Sequence, residues 1–142
     1  MIVLDTNVIS EVIKPPERRS RKVFDWLRAQ PLHLVFTTTV TLGEMSAGVE
    51  VLDEGQRKTA LRSAVDRIFA EVFGERVLVF DEPAARVYGL LIAERRRAGR
   101  EMSAADAQIA SIARSRGMTI ATRDVGDFSA SGVPIIDPWT LP

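Results

Sequence analysis

Four acidic side chains, Asp5, Glu44, Asp106 and Asp124, are spaced so that strand ends and first helical turns carry them. Four carboxylates gathered at one edge repel by about 4 kcal/mol per pair at 4 Å for an effective dielectric near 20. A divalent cation removes that penalty. Oxygen-only ligands with no nearby Cys or His select a hard ion, so Mg²⁺ or Mn²⁺ is expected and zinc is disfavoured. Such an ion keeps waters that phosphate oxygens replace, polarises a phosphoryl group and lowers the pKa of an attacking water, which is phosphodiester hydrolysis. A local account competes at each position. Thr41-x-x-Glu44 and Ser103-x-x-Asp106 match the capping box, and Asp5 and Asp124 are candidate N-caps.

Short apolar runs at Ile2 to Leu4, Leu34 to Phe36, Val77 to Phe80 and Thr119 to Ala121 read as strands, with a weaker one at Val133 to Ile136 that Pro134 marks as an edge. They are continuous, as in a parallel sheet buried on both faces, and helix-period segments separate most of them. Helices are predicted over Asn7 to Ile13, Arg21 to Ala29, Leu42 to Leu52, Gln56 to Phe73, Ala84 to Ala98 and Ala104 to Arg116. The fold class is α/β. In such a sheet Asp5 and Asp124 lie at the carboxyl edge, where open α/β folds bind ligands. Glu44 and Asp106 open helices that start on that edge. Both continue apolar stripes (Val40, Ala47, Gly48 and Val51; Ile109, Ala110 and Ala113), although a helix ordinarily turns charge away from its stripe. Glu50 and Glu71 lack such neighbours and read as solvated surface.

A chain of 142 residues and 15.7 kDa, 46% apolar, fits one domain spanning residues 1–142. Nineteen basic residues cancel nineteen acidic ones, so attraction to nucleic acid must come from local patches. Zero cysteines exclude disulfides, thiolate metal sites and cysteine nucleophiles. His33, the single histidine, has no metal partners and reads as structural or exposed. The N-terminal stretch lacks a basic region and an apolar run of about 7 to 15 residues, and no membrane span is present, so a cytoplasmic chain is expected.

Four segments in order resemble the PIN-domain ribonucleases, specifically VapC-type toxins of prokaryotic toxin-antitoxin pairs in the FitB-like group. They are Val3-Leu4-Asp5-Thr6-Asn7-Val8-Ile9-Ser10-Glu11, Thr41-Leu42-Gly43-Glu44-Met45, Ala105-Asp106-Ala107-Gln108-Ile109-Ala110 and Ala121-Thr122-Arg123-Asp124-Val125-Gly126-Asp127-Phe128. The resemblance implies a three-layer α/β/α domain with a five-stranded parallel sheet. It implies metal ligation by Asp5, Glu44, Asp106 and Asp124, with Thr6, Asn7 and Thr122 as polar support, though Thr6 and Thr122 also read as local caps. Many relatives carry Asn at the position of Asp124 and an acid at that of Asp127, so Asp127 is a second candidate for the fourth acid. The resemblance further implies cleavage of RNA by metal-assisted water, homodimerisation, and a ribbon-helix-helix antitoxin through which the complex contacts DNA.

Arg95, Arg96, Arg97 and Arg100 form the densest basic run, and Arg18, Arg19, Arg21 and Lys22 a second. A solvated helix face explains such runs most simply, and RNA or antitoxin contact is the alternative. Phe24 and Trp26 beside the second run read as core packing. Two other functions compete with a nuclease: a binding-only module of this fold, and a phosphoaspartyl domain. The second lacks the Asp-x-Asp of the phosphatases, because the chain reads Asp5-Thr6-Asn7, and its lysines stop at Lys58, before a receiver would need one.

Overall fold

The computed structural model describes residues 1–141. Five strands, β1 (Ile2–Leu4), β2 (Val35–Thr38), β3 (Val77–Leu78), β4 (Thr119–Ala121) and β5 (Ile135–Ile136), form one parallel sheet in the order β3-β2-β1-β4-β5. Seven helices connect them: α1 (Thr6–Val12), α2 (Arg21–Arg28), α3 (Thr39–Glu50), α4 (Gln56–Arg67), α5 (Glu82–Arg97), α6 (Ala104–Ser115) and α7 (Val125–Phe128). The chain winds outward from β1 through β2 to β3, then crosses back to place β4 on the other side of β1. This reversal makes the switch point at which α/β sheets open a crevice beyond the strand ends.

Successive strand residues face opposite ways, and the core divides accordingly. Leu4 joins Val8, Ile9, Val35, Val49, Phe69 and Phe73 on one face. Val3 joins Leu91, Ala107, Ile109, Ala110, Ile120 and Phe128 on the other. Helices therefore cover both faces, the three-layer α/β/α arrangement expected. Trp26 packs against the first cluster, whereas Phe24 lies under the Arg19 guanidinium, 3.4 Å from its ring centre.

Several boundaries differ from the expectations. Residues Leu32–Leu34 form a 3₁₀ turn, tied down by the Arg76 guanidinium on the carbonyls of Leu32 and Val35 at 2.7 Å each, so β2 begins at Val35. The strands β3 and β5 shrink to two residues each, both at sheet edges, and Pro134 lies just outside β5. Helix α3 starts at Thr39 because Thr38, not Thr41, is its cap: the Thr38 hydroxyl accepts from the Thr41 N–H at 3.0 Å. Helix α4 runs on through a π-type turn, Ile68–Phe73. The short α7 was not predicted; the chain after Asp124 reads as a turn. Among the described residues no helix is long and apolar enough to cross a membrane.

Candidate active site

Asp5 leaves β1 as the N-cap of α1 and is 4% exposed. Its Oδ1 accepts from the Thr6 N–H at 2.7 Å, and its Oδ2 accepts from the Thr122 hydroxyl at 2.7 Å and Asn7 Nδ2 at 2.9 Å. The cap reading is thus correct for one oxygen only. Burial pushes the Asp5 carboxyl up to about 6, opposed by the hydrogen bonds from Thr122 and Thr6 and assisted by the charges of Asp106 and Glu44.

Thr122 and Asn7 join the two sides of the switch point. The buried Thr122 hydroxyl donates to Asp5 and accepts from Asn7 Nδ2 at 2.9 Å and the Asp124 N–H at 3.0 Å, using its one proton and both lone pairs. Asn7 Nδ2 also donates to Asp124 Oδ2 at 3.0 Å, and its Oδ1 accepts from the Arg123 N–H at 3.2 Å. Asp124 occupies the N-cap position of α7, yet its side chain makes no cap bond there, so the cap reading fails.

The two helical acids divide similarly. Glu44 lies in the second turn of α3, where no capping box includes it, and its Oε2 accepts from the Thr6 hydroxyl at 2.5 Å. Asp106 keeps its capping contact. Ser103 Oγ accepts from the Asp106 N–H at 3.0 Å and donates to Asp106 Oδ2 at 2.7 Å.

Asp5, Glu44, Asp106 and Asp124 line one cavity of about 350 Å³ together with Thr6 and Asn7. Asp127 is exposed on α7 and does not line it. The shared cavity brings the four acids to one edge of the sheet. Among the described residues no three His, Cys, Asp or Glu side chains are grouped closely enough to hold a metal, and Glu44 and Asp106 each accept from a neighbouring hydroxyl. The donor set itself, all carboxylate oxygen around an acid whose ionisation is opposed by burial and by the charges of Asp106 and Glu44, fits a hard divalent cation.

Four cavity residues were not singled out from the sequence as site residues: Ser10, Glu11, Lys14 and Arg123. Glu11 is buried and accepts from Lys14 Nζ and the Ser20 N–H, each at 2.6 Å. The Lys14 hydrogen bond holds its carboxyl below the usual range against the effect of burial. Helical spacing carried the signal, because Glu11 follows Asn7 by four residues and Lys14 follows Ser10 by four. Beside the cavity lies an apolar groove of about 580 Å³ between α1, α3 and α4, with Ile13, Met45, Leu61 and Val65 in its walls and Thr6, Lys14 and Glu44 at the shared rim.

The basic run does not behave as a single surface. Arg95 is 4% exposed, its guanidinium spent on the carbonyls of Ser129 and Glu101, so direct RNA or antitoxin contact by Arg95 is corrected to an interior role. Arg96, Arg97 and Arg100 are exposed. His33 is exposed too, outside the cavity.

A PIN domain profile matches residues 2–130. The chain is 43% identical over 141 residues to the plasmid stability protein StbB of Pseudomonas syringae pv. tomato, covering 98% of this chain and 99% of that protein. It is 37% identical over 139 residues to toxin FitB of Neisseria gonorrhoeae (98% and 99% covered) and 37% identical over 139 residues to VapC ribonuclease Y4jK of Sinorhizobium fredii (98% and 98% covered). The solved structure of FitAB bound to an IR36 DNA fragment superposes with a TM-score of 0.90 at 39% identity, covering 100% of this chain and 98% of that one. Sequence, topology and the placement of the acids agree: the chain belongs to the PIN-domain family, alongside its VapC and FitB toxins.

Proposed function

We propose that this chain is a Mg²⁺- or Mn²⁺-dependent endoribonuclease acting as the toxin of a toxin-antitoxin pair. One observation carries the reading: Asp5, buried and raised to about 6 by burial and by the charges of Asp106 and Glu44, shares a cavity with both of them and with Asp124. Asp5, Glu44, Asp106 and Asp124 would hold the ion. When bound, it would supply charge stabilisation at the phosphate and a water acidic enough to attack. The protein's own contribution is positional. Thr122 and Asn7 fix Asp5, and Asn7 orients Asp124 while Thr6 holds Glu44 at the rim.

Similarity to FitAB and to a VapC ribonuclease supports an antitoxin partner and RNA as substrate. By the same resemblance the antitoxin is a ribbon-helix-helix protein that carries the DNA contact, and the toxin is a homodimer. A segment of that antitoxin would seat in the groove between α1, α3 and α4, whose rim is the rim of the acidic cavity. A binding-only module is the second reading, favoured by the hydroxyl contacts that already satisfy Glu44 and Asp106. Cleavage of transfer RNA by the purified protein with Mn²⁺, compared with Asp5→Asn and Asp106→Asn and with excess chelator, separates the two. The nuclease reading predicts activity only in metal-loaded wild type. No cleavage by wild type supports the other, and equal cleavage by all three proteins removes Asp5 and Asp106 from the catalytic role.

A further inference from the structure

Arg95 carries a buried charge that no acid compensates among the described residues. Among those residues its guanidinium reaches two carbonyls, and its Nε finds no hydrogen-bond partner. Buried charges are ordinarily paired, because taking an ion out of water is costly unless an opposite charge faces it. Among the described residues no carboxylate forms a salt bridge with Arg95, Arg96 or Arg100. Yet these three arginines line one cavity of about 460 Å³, with Tyr88, Ile92 and Met102 as apolar wall. A solvated helix face accounts for Arg96 and Arg100 but not for positive charge buried behind them.

The cavity also has a position. Ala104, the first residue of α6, lines it, and Asp106, two residues on, lines the acidic cavity. The two cavities therefore adjoin across the first turn of α6, whose free N–H groups add positive potential. Arg100 is already oriented, donating to Ser129 Oγ at 2.9 Å, while Arg95 ties Ser129 and Glu101 together from within.

We propose that this cavity is a subsite for the RNA strand. Arg96 and Arg100 take a backbone phosphate flanking the cleavage position, Arg95 holds a fixed positive field behind them, and Tyr88, Ile92 and Met102 offer apolar surface to the attached nucleoside. The proposal rests on the ribonuclease reading. An acidic peptide would satisfy the guanidinium forks equally well, but the apolar wall and the proximity of Asp106 favour a nucleotide.

Binding is read by fluorescence anisotropy of a labelled single-stranded RNA oligonucleotide on Asp5→Asn protein in chelator, where no cleavage occurs. The pair Arg96→Gln/Arg100→Gln is compared with Arg86→Gln/Arg97→Gln, which removes the same charge from outside the cavity. Expected is a loss of about 10-fold in affinity for the first pair, with the slope of log K against log salt shallower by about 0.7, one phosphate on a single strand. The second pair stays within about 2-fold. Equal losses in both pairs, or none in the first, overturn the subsite. So does polyglutamate that displaces RNA from the parent protein at equal concentration but does not bind the cavity variant, which assigns the cavity to an acidic peptide. A selective loss of RNA binding alongside a wild type that cleaves nothing retains the subsite and rejects the nuclease. Cleavage with no selective loss does the reverse.

Discussion

The Thr122 hydroxyl donates to Asp5 Oδ2 at 2.7 Å across 117 positions of sequence. That bond closes the gap between β1 and β4 at the point where the strand order reverses. Thr122→Val removes the donor and leaves a buried carboxylate oxygen and the Asp124 N–H short of a partner. A loss of about 1–3 kcal/mol in denaturant unfolding is expected. Thr122→Ser retains the hydroxyl and should recover most of it.

Asn7 is the second clamp, bonded to Asp5 and Asp124 at once. Asn7→Ala leaves all four acids in place but frees two of them to move. Groups that orient ligands typically contribute 10- to 100-fold in affinity, so calorimetric titration with Mn²⁺ should show a Kd raised by roughly that factor.

Asp5 also imposes a pH dependence on the metal-free protein. Its carboxyl is raised from 3.8 to about 6 on folding, so the folded state holds the proton more tightly than the unfolded chain. The resulting stabilisation is complete below about pH 3.8 and is lost as pH rises through about 6, a span of about 3 kcal/mol by linkage. Unfolding free energies measured in chelator between pH 4 and 7 should contain this falling component. Asp5→Asn, which cannot ionise, should lack it.

Ser103 is the test of how far the capping account of Asp106 extends. Its hydroxyl caps α6 and holds the Asp106 carboxylate. Ser103→Ala should lower thermal stability by the equivalent of about 1 kcal/mol, and Ser103→Thr should restore it.

Much of this arrangement is legible in the sequence. The apolar runs are continuous because strands in a parallel sheet are buried on both faces, and that pattern with the intervening helices places Asp5, Glu44, Asp106 and Asp124 on one edge. The start of α3 was hidden because Thr37, Thr38 and Thr39 precede Thr41, and only the backbone geometry decides which hydroxyl caps. The four-residue α7 is too short to show a period. Glu11 and Lys14 lie four residues after Asn7 and Ser10, a spacing that suits a solvated helix face equally well, so the sequence does not mark them as site residues. Arg95 was masked by its neighbours: in a run of three arginines the sequence shows equal charge, whereas the packing of α5 buries one side chain and exposes the next two.

Water-proton relaxation during Mn²⁺ titration tests most directly whether the four acids form one cation site. Saturable binding by wild type, abolished in both Asp5→Asn and Asp106→Asn while the variants keep wild-type circular dichroism, is the predicted result. Mn²⁺ binding of equal strength in all three proteins, or none in wild type, would contradict it.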